Sequence, residues 1–211
     1  MANNSVEIIR SQPDPERFNR NANLPFQLRL KDFELAMQDV YDFFYDVNRL
    51  LTDKGLQRLD DRFPPAIMSG VLSDMLTASL AKHSRTLVQN RYFNGCPDLI
   101  VQGRYSSDSV KAGSDGVEIK STRKAGGAVN TNGARNQWIS VFVYETDNET
   151  QPAIKRKPMN FTEVYLGQMT VADLRNPRSE LETRTATLDR RGIGKLPENW
   201  VYRLAEPATQ T

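Results

Sequence analysis

Two carboxylates and one amine stand at a spacing that could bring them together on a β-sheet. Asp98 opens the apolar run Leu-Ile-Val, and Glu118 and Lys120 flank Ile119 in the run Gly-Val-Glu-Ile-Lys. Because side chains alternate between the two faces of a strand, we expect Glu118 and Lys120 on one face and Ile119 on the other. If the strand that begins at Asp98 lies beside the second strand, the three polar groups converge.

These groups are suited to one kind of chemistry. Carboxylate oxygens, as in Asp98 and Glu118, suit Mg²⁺ or Mn²⁺, which proteins hold through one or two carboxylates together with water and substrate phosphate. The backbone carbonyl of Ile119 can add a further oxygen ligand. Lys120 can orient a water molecule, assist its deprotonation or stabilise a developing oxyanion. In outline, the residues form a site for phosphodiester hydrolysis.

The order of these residues resembles a known signature. Pro97-Asp98, a spacer of 19 residues and then Glu118-Ile119-Lys120 is similar to the motif of the PD-(D/E)xK nuclease superfamily, which includes the type II restriction endonucleases. The resemblance implies a restriction-endonuclease-like core, with Asp98 and Glu118 as ligands of Mg²⁺ and Lys120 beside the attacking water. It also implies a metal-dependent endonuclease of double-stranded DNA, most simply a sequence-specific type II restriction enzyme.

Other interpretations of the same residues remain open. A Glu-x-Lys sequence alone is common on solvated strand faces, where the two side chains form surface ion pairs. With the same fold, the chain could be a repair, recombination or phage DNA-processing nuclease that selects DNA shape, or a DNA-binding module without activity. Many members of the superfamily take a further acid from a preceding helix, and Asp74 and Glu34 compete for that role.

A glycine-rich segment leaves directly from Lys120. The stretch from Ile119 to Tyr144 contains no acidic residue, so its side chains would not repel a polyanion. Asn and Gln can pair with adenine, and Arg with guanine, in the major groove. We therefore predict a flexible loop in contact with DNA, against the alternative of a surface loop whose charge is incidental. The candidate DNA-binding residues are Arg123, Lys124, Asn130, Asn132, Arg135 and Gln137.

The periodicity of apolar residues predicts the elements that must position these groups. Two early segments repeat apolar residues at helical spacing, and later segments alternate as strands do. This order predicts a mixed α/β (α+β) fold with a central mixed β-sheet flanked by helices. The helices are predicted at about 28–51 and 67–83, and the strands at 86–90, 98–102, 116–120, 138–144 and 163–167, with strand-compatible runs at 184–188 and 200–204.

The chain is expected to form a single nuclease domain over residues 1–211. Its predicted parts are an N-terminal arm (1–25), the helices and catalytic core (28–145), and C-terminal strands and loops (146–211) that could take part in DNA recognition. A two-fold homodimer would place one active site on each strand of a palindromic sequence, and the helix from Phe33 to Leu51 or its neighbour could supply the interface. The alternative is that this helix packs on the domain's own core.

The composition excludes several other kinds of site. One Cys and one His among 211 residues leave little material for a disulfide, a thiolate-rich zinc site or a His-based catalytic triad. No apolar stretch approaches the roughly 20 residues of a membrane span, and the first residues lack the apolar core of a secretory signal. A cytoplasmic protein without membrane contact is expected. The net charge of +2 does not by itself indicate a nucleic-acid binder.

Overall fold

The computed structural model describes residues 8–175 and 185–204 of the chain. Within these residues, four α-helices accompany a six-stranded mixed sheet and a three-stranded antiparallel sheet. The predicted mixed α+β class is confirmed. The helices are α1 (Leu30–Asp53), α2 (Leu59–Arg62), α3 (Pro65–His83) and α4 (Arg190–Lys195). The strands are β1 (Leu87–Gln89), β2 (Leu99–Val101), β3 (Gly116–Thr122), β4 (Asn130–Asn132), β5 (Gln137–Glu145), β6 (Asn160–Met169), β7 (Leu174–Arg175), β8 (Thr185–Leu188) and β9 (Trp200–Arg203).

The large sheet has one parallel pair at its centre. Its strand order is β1-β2-β3-β5-β6-β9, and β3 and β5 run parallel while the other neighbours are antiparallel. A parallel pair needs a crossover connection. Here the crossover passes through β4, which belongs to the small sheet β4-β8-β7. The chain therefore places the segment after β3 on one side of the large sheet.

Helix α1 packs its apolar face on the core of its own domain. Phe33, Met37, Val40 and Phe44 recur at steps of four and three, and each is at most 4% exposed. The ring of Phe33 stacks on that of Phe142 in β5, with 6.1 Å between the ring centroids. The face that could have served a dimer is thus used within the chain. No α-helix within the described ranges 8–175 and 185–204 is both long and apolar enough to cross a bilayer.

Helix α3 has an apolar side and a small polar side. It begins at Pro65, whose fixed φ suits the first turn of a helix, and it packs against α1. Its buried apolar residues include Met68, Leu72, Leu76 and Leu80, which are spaced by four. The polar side faces a cavity described below and carries Ser69, Ser73, Asp74 and Thr77.

A second apolar cluster covers the other face of β5 and β6. It is formed with β8 and the chain that follows α4, so the large sheet is buried on both sides near its centre. This explains why β5 reads as an almost continuous apolar run. The buried members of the cluster are Val129, Ile139, Val141, Val143, Tyr165, Met169, Leu188 and Leu196.

The segment after Lys120 departs from the predicted flexible loop. Residues 130–132 form β4, which pairs antiparallel with β8. Val129 and Thr131 are 3% and 2% exposed, so their buried side chains hold the segment against the protein core. The pairing partner lies far along the chain, and short polar sequences such as Asn-Thr-Asn carry no local strand signal.

Candidate active site

The large sheet opens beside β3. β2 pairs with β3 at only two positions, Leu99–Val117 and Ile100–Gly116. β3 continues to Thr122 with β5 as its partner, so the edge of β3 that faces β2 has no strand beside it after Val117. Gly116 permits the close approach before the opening, because a Cβ there would lie 1.9 Å from the carbonyl oxygen of Leu99.

Asp98 stands at the start of β2, next to this opening. Its Oδ2 accepts a hydrogen bond of 2.8 Å from the backbone N–H of Ile119. In a β-strand the N–H and C=O of one residue point to the same side. The carbonyl of Ile119, which the sequence offers as a metal ligand, therefore also faces the opening, and Ile119 lines the cavity there.

Glu118 and Lys120 share one face of β3, while Val117 and Ile119 belong to the helix-side core. The Nζ of Lys120 lies 2.6 Å from Oε1 of Glu118 and 3.7 Å from Oδ2 of Asp98. The Glu118 side chain is fully buried, whereas those of Asp98 and Lys120 are 28% and 27% exposed. The structure thus brings together the three groups that the spacing places on neighbouring strands.

The protonation of these groups follows from burial and from their charges. Burial raises the pKa of Asp98 to about 6, and the nearby charge of Glu118 acts in the same direction. For Lys120, burial opposes the charged form, but the charges of Glu118 and Asp98 outweigh it and raise its pKa above the usual value. Lys120 is therefore an ammonium at neutral pH. In this form it donates hydrogen bonds and does not act as a base.

A buried thiol contacts Glu118 from behind the site. The Sγ of Cys96 donates to Oε2 of Glu118 at 3.0 Å, and Oε1 of Gln137 lies 3.4 Å from the same sulfur. Burial raises the pKa of the Cys96 thiol, and the charge of Glu118 acts in the same direction. The thiol therefore stays protonated and remains a donor, which fixes the carboxylate of Glu118.

Gln137 occupies a different position from the one expected of a DNA-binding residue. Its side chain is 2% exposed, and its Nε2 has no hydrogen-bond partner among the described residues. A base edge cannot reach an amide that is enclosed in this way. Gln137 is therefore not a DNA contact in this structure, and its side chain packs beside Cys96 instead.

A cavity of about 450 Å³ lies over the opening in the sheet. Its walls come from the polar side of α3, from β3 and from the chain just before β4. A second cavity of about 300 Å³ shares Asp74, Thr77 and Asp98 with the first. Asp98 thus stands at the boundary between the two. Beyond α3, the first cavity is lined by Asp98, Lys120, Ser121, Thr122, Ala128 and Asn130.

The two candidate upstream acids lie in different places. Asp74 on α3 lines both cavities, and its charge contributes to the raised pKa of Asp98. Glu34 on α1 pairs with Lys31, with 2.7 Å between Nζ and Oε1, and lines neither cavity. The geometry therefore favours Asp74 as a further acid at the site.

The donors at the opening fit a hard divalent cation. Oε1 of Glu118 is buried, and its contact among the described residues is the ion pair with Nζ of Lys120 at 2.6 Å. A carboxylate oxygen held by one ion pair, beside a second carboxylate and a carbonyl, belongs to a set of oxygen donors that suits Mg²⁺. No group of three or more His, Cys, Asp or Glu side chains suited to one ion occurs in residues 8–175 and 185–204. Water and phosphate would have to complete the shell.

The remaining candidate DNA contacts lie on the segment after β3. Asn130 lines the larger cavity and its Oδ1 accepts a hydrogen bond of 2.7 Å from Thr187 in β8. The guanidinium of Arg123 donates to the carbonyl of Thr146 at 3.0 Å. The exposed candidates are Arg123, Lys124, Asn130 and Asn132.

Arg135 is half-buried and has a structural contact. Its guanidinium donates to the carbonyl of Cys96 at 3.3 Å and to the carbonyl of Asn132. It therefore joins the end of β4 to the corner that carries Asp98. These hydrogen bonds place Arg135 beside the site and leave its guanidinium less free to bind a DNA phosphate.

Sequence reasoning missed how the site is supported. The contact of Cys96 with Glu118 joins residues that are distant in the chain, and only the position of Cys96 directly before Pro97-Asp98 hinted at it. The polar side of α3 had a clearer signal, since Ser69, Ser73 and Thr77 recur every four residues.

Comparison of the chain with protein-family models, with curated proteins and with solved structures found no match. The chemistry open to the site therefore follows from the geometry of Asp98, Glu118 and Lys120.

Proposed function

We propose that this protein is a Mg²⁺-dependent endonuclease that hydrolyses phosphodiester bonds of double-stranded DNA, with the site of the PD-(D/E)xK superfamily. The observation that carries the proposal is the convergence of Asp98, Glu118 and Lys120 at the open edge of β3, where Asp98 and Lys120 line a cavity and Glu118 is buried beside Lys120. Two acids and an ammonium that converge beside a cavity are what hydrolysis of a phosphodiester needs from a protein. Mn²⁺ is expected to substitute for Mg²⁺.

Each residue has a distinct role in the proposed reaction. Asp98, Glu118 and the carbonyl of Ile119 would hold the divalent cation, which when bound supplies positive charge against the phosphate and lowers the pKa of water. Lys120, as an ammonium open to the cavity, orients the attacking water and stabilises negative charge on the phosphate oxygens. Cys96 keeps the carboxylate of Glu118 in place through its S–H donor.

The surroundings of the site are compatible with a nucleic acid. Hydroxyl groups of α3 line one wall of the cavity, and the exposed cations Arg123 and Lys124 follow directly after β3. Exposed cations near a phosphate site add affinity that falls with salt concentration. The exposed amides of Asn130 and Asn132 could read base edges. We therefore expect sequence specificity, as in a type II restriction enzyme.

Digestion of a plasmid of known sequence, followed by sequencing of the fragment ends, tests the proposal. Discrete fragments with common ends in Mg²⁺ are the expected result. A smear, or nicks confined to distorted DNA, would indicate that the enzyme selects DNA shape and not sequence, as a repair, recombination or phage-processing nuclease does. Intact plasmid in both Mg²⁺ and Mn²⁺ would overturn the proposal and leave at most a DNA-binding module.

A further inference from the structure

The loop between β1 and β2 carries two exposed aromatic residues, of which Tyr92 lies beside the site and Phe93 follows it in the chain. Phe93 is 87% exposed and Tyr92 is 43% exposed. Tyr92 lines the smaller cavity, whose wall also contains Asp98. Burial of an aromatic ring is among the largest gains available to a single side chain. A pair of rings held in solvent at this place therefore indicates a surface that meets a flat, apolar partner.

The loop that carries these rings is held firmly. The Nδ2 of Asn90 donates to the carbonyls of Pro97 and Val110 at 3.1 and 2.7 Å, and its Oδ1 accepts from the backbone N–H groups of Tyr92 and Val110, each at 3.0 Å. The N–H of Gly95 donates to the carbonyl of Tyr92 at 2.8 Å. A Cβ on Gly95 would lie 2.4 Å from the carbonyl oxygen of Val110, so the turn depends on glycine. The aromatic tip is thus presented by a braced turn.

Tyr92 and Phe93 lie where they could contact the nucleotide next to the reacting phosphate. Asp98 separates the larger cavity, which contains Lys120, from the smaller one. Successive nucleotides of one strand in a duplex are about 3.4 Å apart along the axis. When one phosphate occupies the opening at Asp98 and the strand continues toward the smaller cavity, an adjacent nucleotide lies over the wall formed by Gln89, Tyr92 and Asn94.

We propose that Tyr92 and Phe93 enter the base stack of DNA next to the phosphate bound at Asp98. Phe93 would act as a wedge between bases, and Tyr92 as a platform on which the displaced base stacks, with amides around it. This inference rests on the proposed function and specifies the substrate as a duplex that is unstacked beside the cleaved bond. Aromatic and apolar wedges of this kind unstack base steps, and bases stack on aromatic rings without regard to sequence.

Binding to matched and mismatched duplexes tests the proposal. A mismatch lowers the cost of unstacking, so the parent protein in Ca²⁺ should bind a short fluorescein-labelled duplex with one mismatched pair about tenfold more tightly than the matched duplex. Phe93→Ala should lose this preference and Phe93→Trp should keep it. Leu56→Ala is the matched control, because Leu56 is 55% exposed and lines neither cavity. Fluorescence anisotropy measures all four proteins.

The outcomes separate this inference from the proposed function. If the parent cleaves plasmid DNA and Phe93→Ala keeps the parent's preference for the mismatch, the base contact is overturned and the nuclease stands. If the preference is present and depends on Phe93 but no cleavage occurs in Mg²⁺ or Mn²⁺, the nuclease is overturned and the base contact is supported. A parent that binds both duplexes equally, or binds neither, also overturns the base contact.

Discussion

Asp98 is ionised at neutral pH in surroundings that favour its protonated form. Burial, with the charge of Glu118, raises its pKa from 3.8 to about 6. Between these two values the folded protein binds a proton that the unfolded chain has released, so stability falls as the pH rises through this range. Above pH 6 the full penalty is present, and the shift corresponds to up to about 3 kcal/mol. A carboxyl group with a strongly raised pKa on the wall of a cavity is a candidate functional residue.

Asp98→Asn should therefore stabilise the fold at pH 7.5, by about 1 to 3 kcal/mol, although it removes a residue of the proposed site. The amide can still accept the hydrogen bond from Ile119, and it carries no charge to desolvate. The gain should be full at pH 7.5 and fall to roughly a third of that at pH 4.5, inside the range between the two pKa values. The midpoints of urea unfolding measure it.

Asp115→Asn is the control for this substitution. Asp115 forms an ion pair with Arg104 in which both side chains are exposed, so its neutralisation should give no gain at either pH. If Asp98→Asn destabilised the protein at pH 7.5 as much as at pH 4.5, the cost assigned to the ionised carboxylate would be wrong.

At the scale of elements, the opening between β2 and β3 creates the site. Its geometry depends on the two paired positions before the opening, where Gly116 lets the strands approach. Gly116→Ala would place a methyl group against the backbone of Leu99, which no rotamer change can relieve. We expect it to destabilise the fold by roughly 1 to 3 kcal/mol and to reduce DNA cleavage strongly, because Asp98 would move away from Glu118.

Gly194→Ala provides a matched comparison for that change. A Cβ on Gly194, in α4, meets no atom within 4 Å, and alanine favours a helix over glycine. Its stability in urea and its cleavage rate should equal or slightly exceed those of the parent. Equal stability of Gly116→Ala and Gly194→Ala would show that the close approach of β2 and β3 does not constrain the site.

The elements that the sequence predicts well are those with local, periodic signals. The predicted helices at 28–51 and 67–83 correspond to α1 and α3, and the prediction for 116–120 falls within β3. The sequence does not predict β4, because this short polar strand forms only by pairing with β8, which is distant in the chain. The alternation of Glu118 and Lys120 followed from the strand period. The burial of Gln137 and its contact with Cys96 could not be predicted, because they depend on how segments that are distant in the chain pack together.

At the scale of the whole molecule, the proposed activity on both DNA strands favours a two-fold dimer. A single chain presents one opening, and a palindromic site needs one on each strand. The apolar face of α1 is buried in the chain's own core, so the interface must use another surface. In sedimentation with DNA we expect a complex with the mass of two chains and one duplex. Cleavage should give linear plasmid without accumulation of nicked circles. A monomer that accumulates nicked circles would contradict the dimer.

The most direct test of the account is the cleavage rate of Glu118→Gln in Mg²⁺. This substitution keeps the size of a buried side chain and removes one of the two proposed metal carboxylates. We predict no detectable cutting of plasmid DNA, with a folded protein by circular dichroism, while Glu145→Gln at the exposed end of β5 cuts like the parent. Cutting by Glu118→Gln at the parent's rate would contradict the assignment of this cluster as the active site.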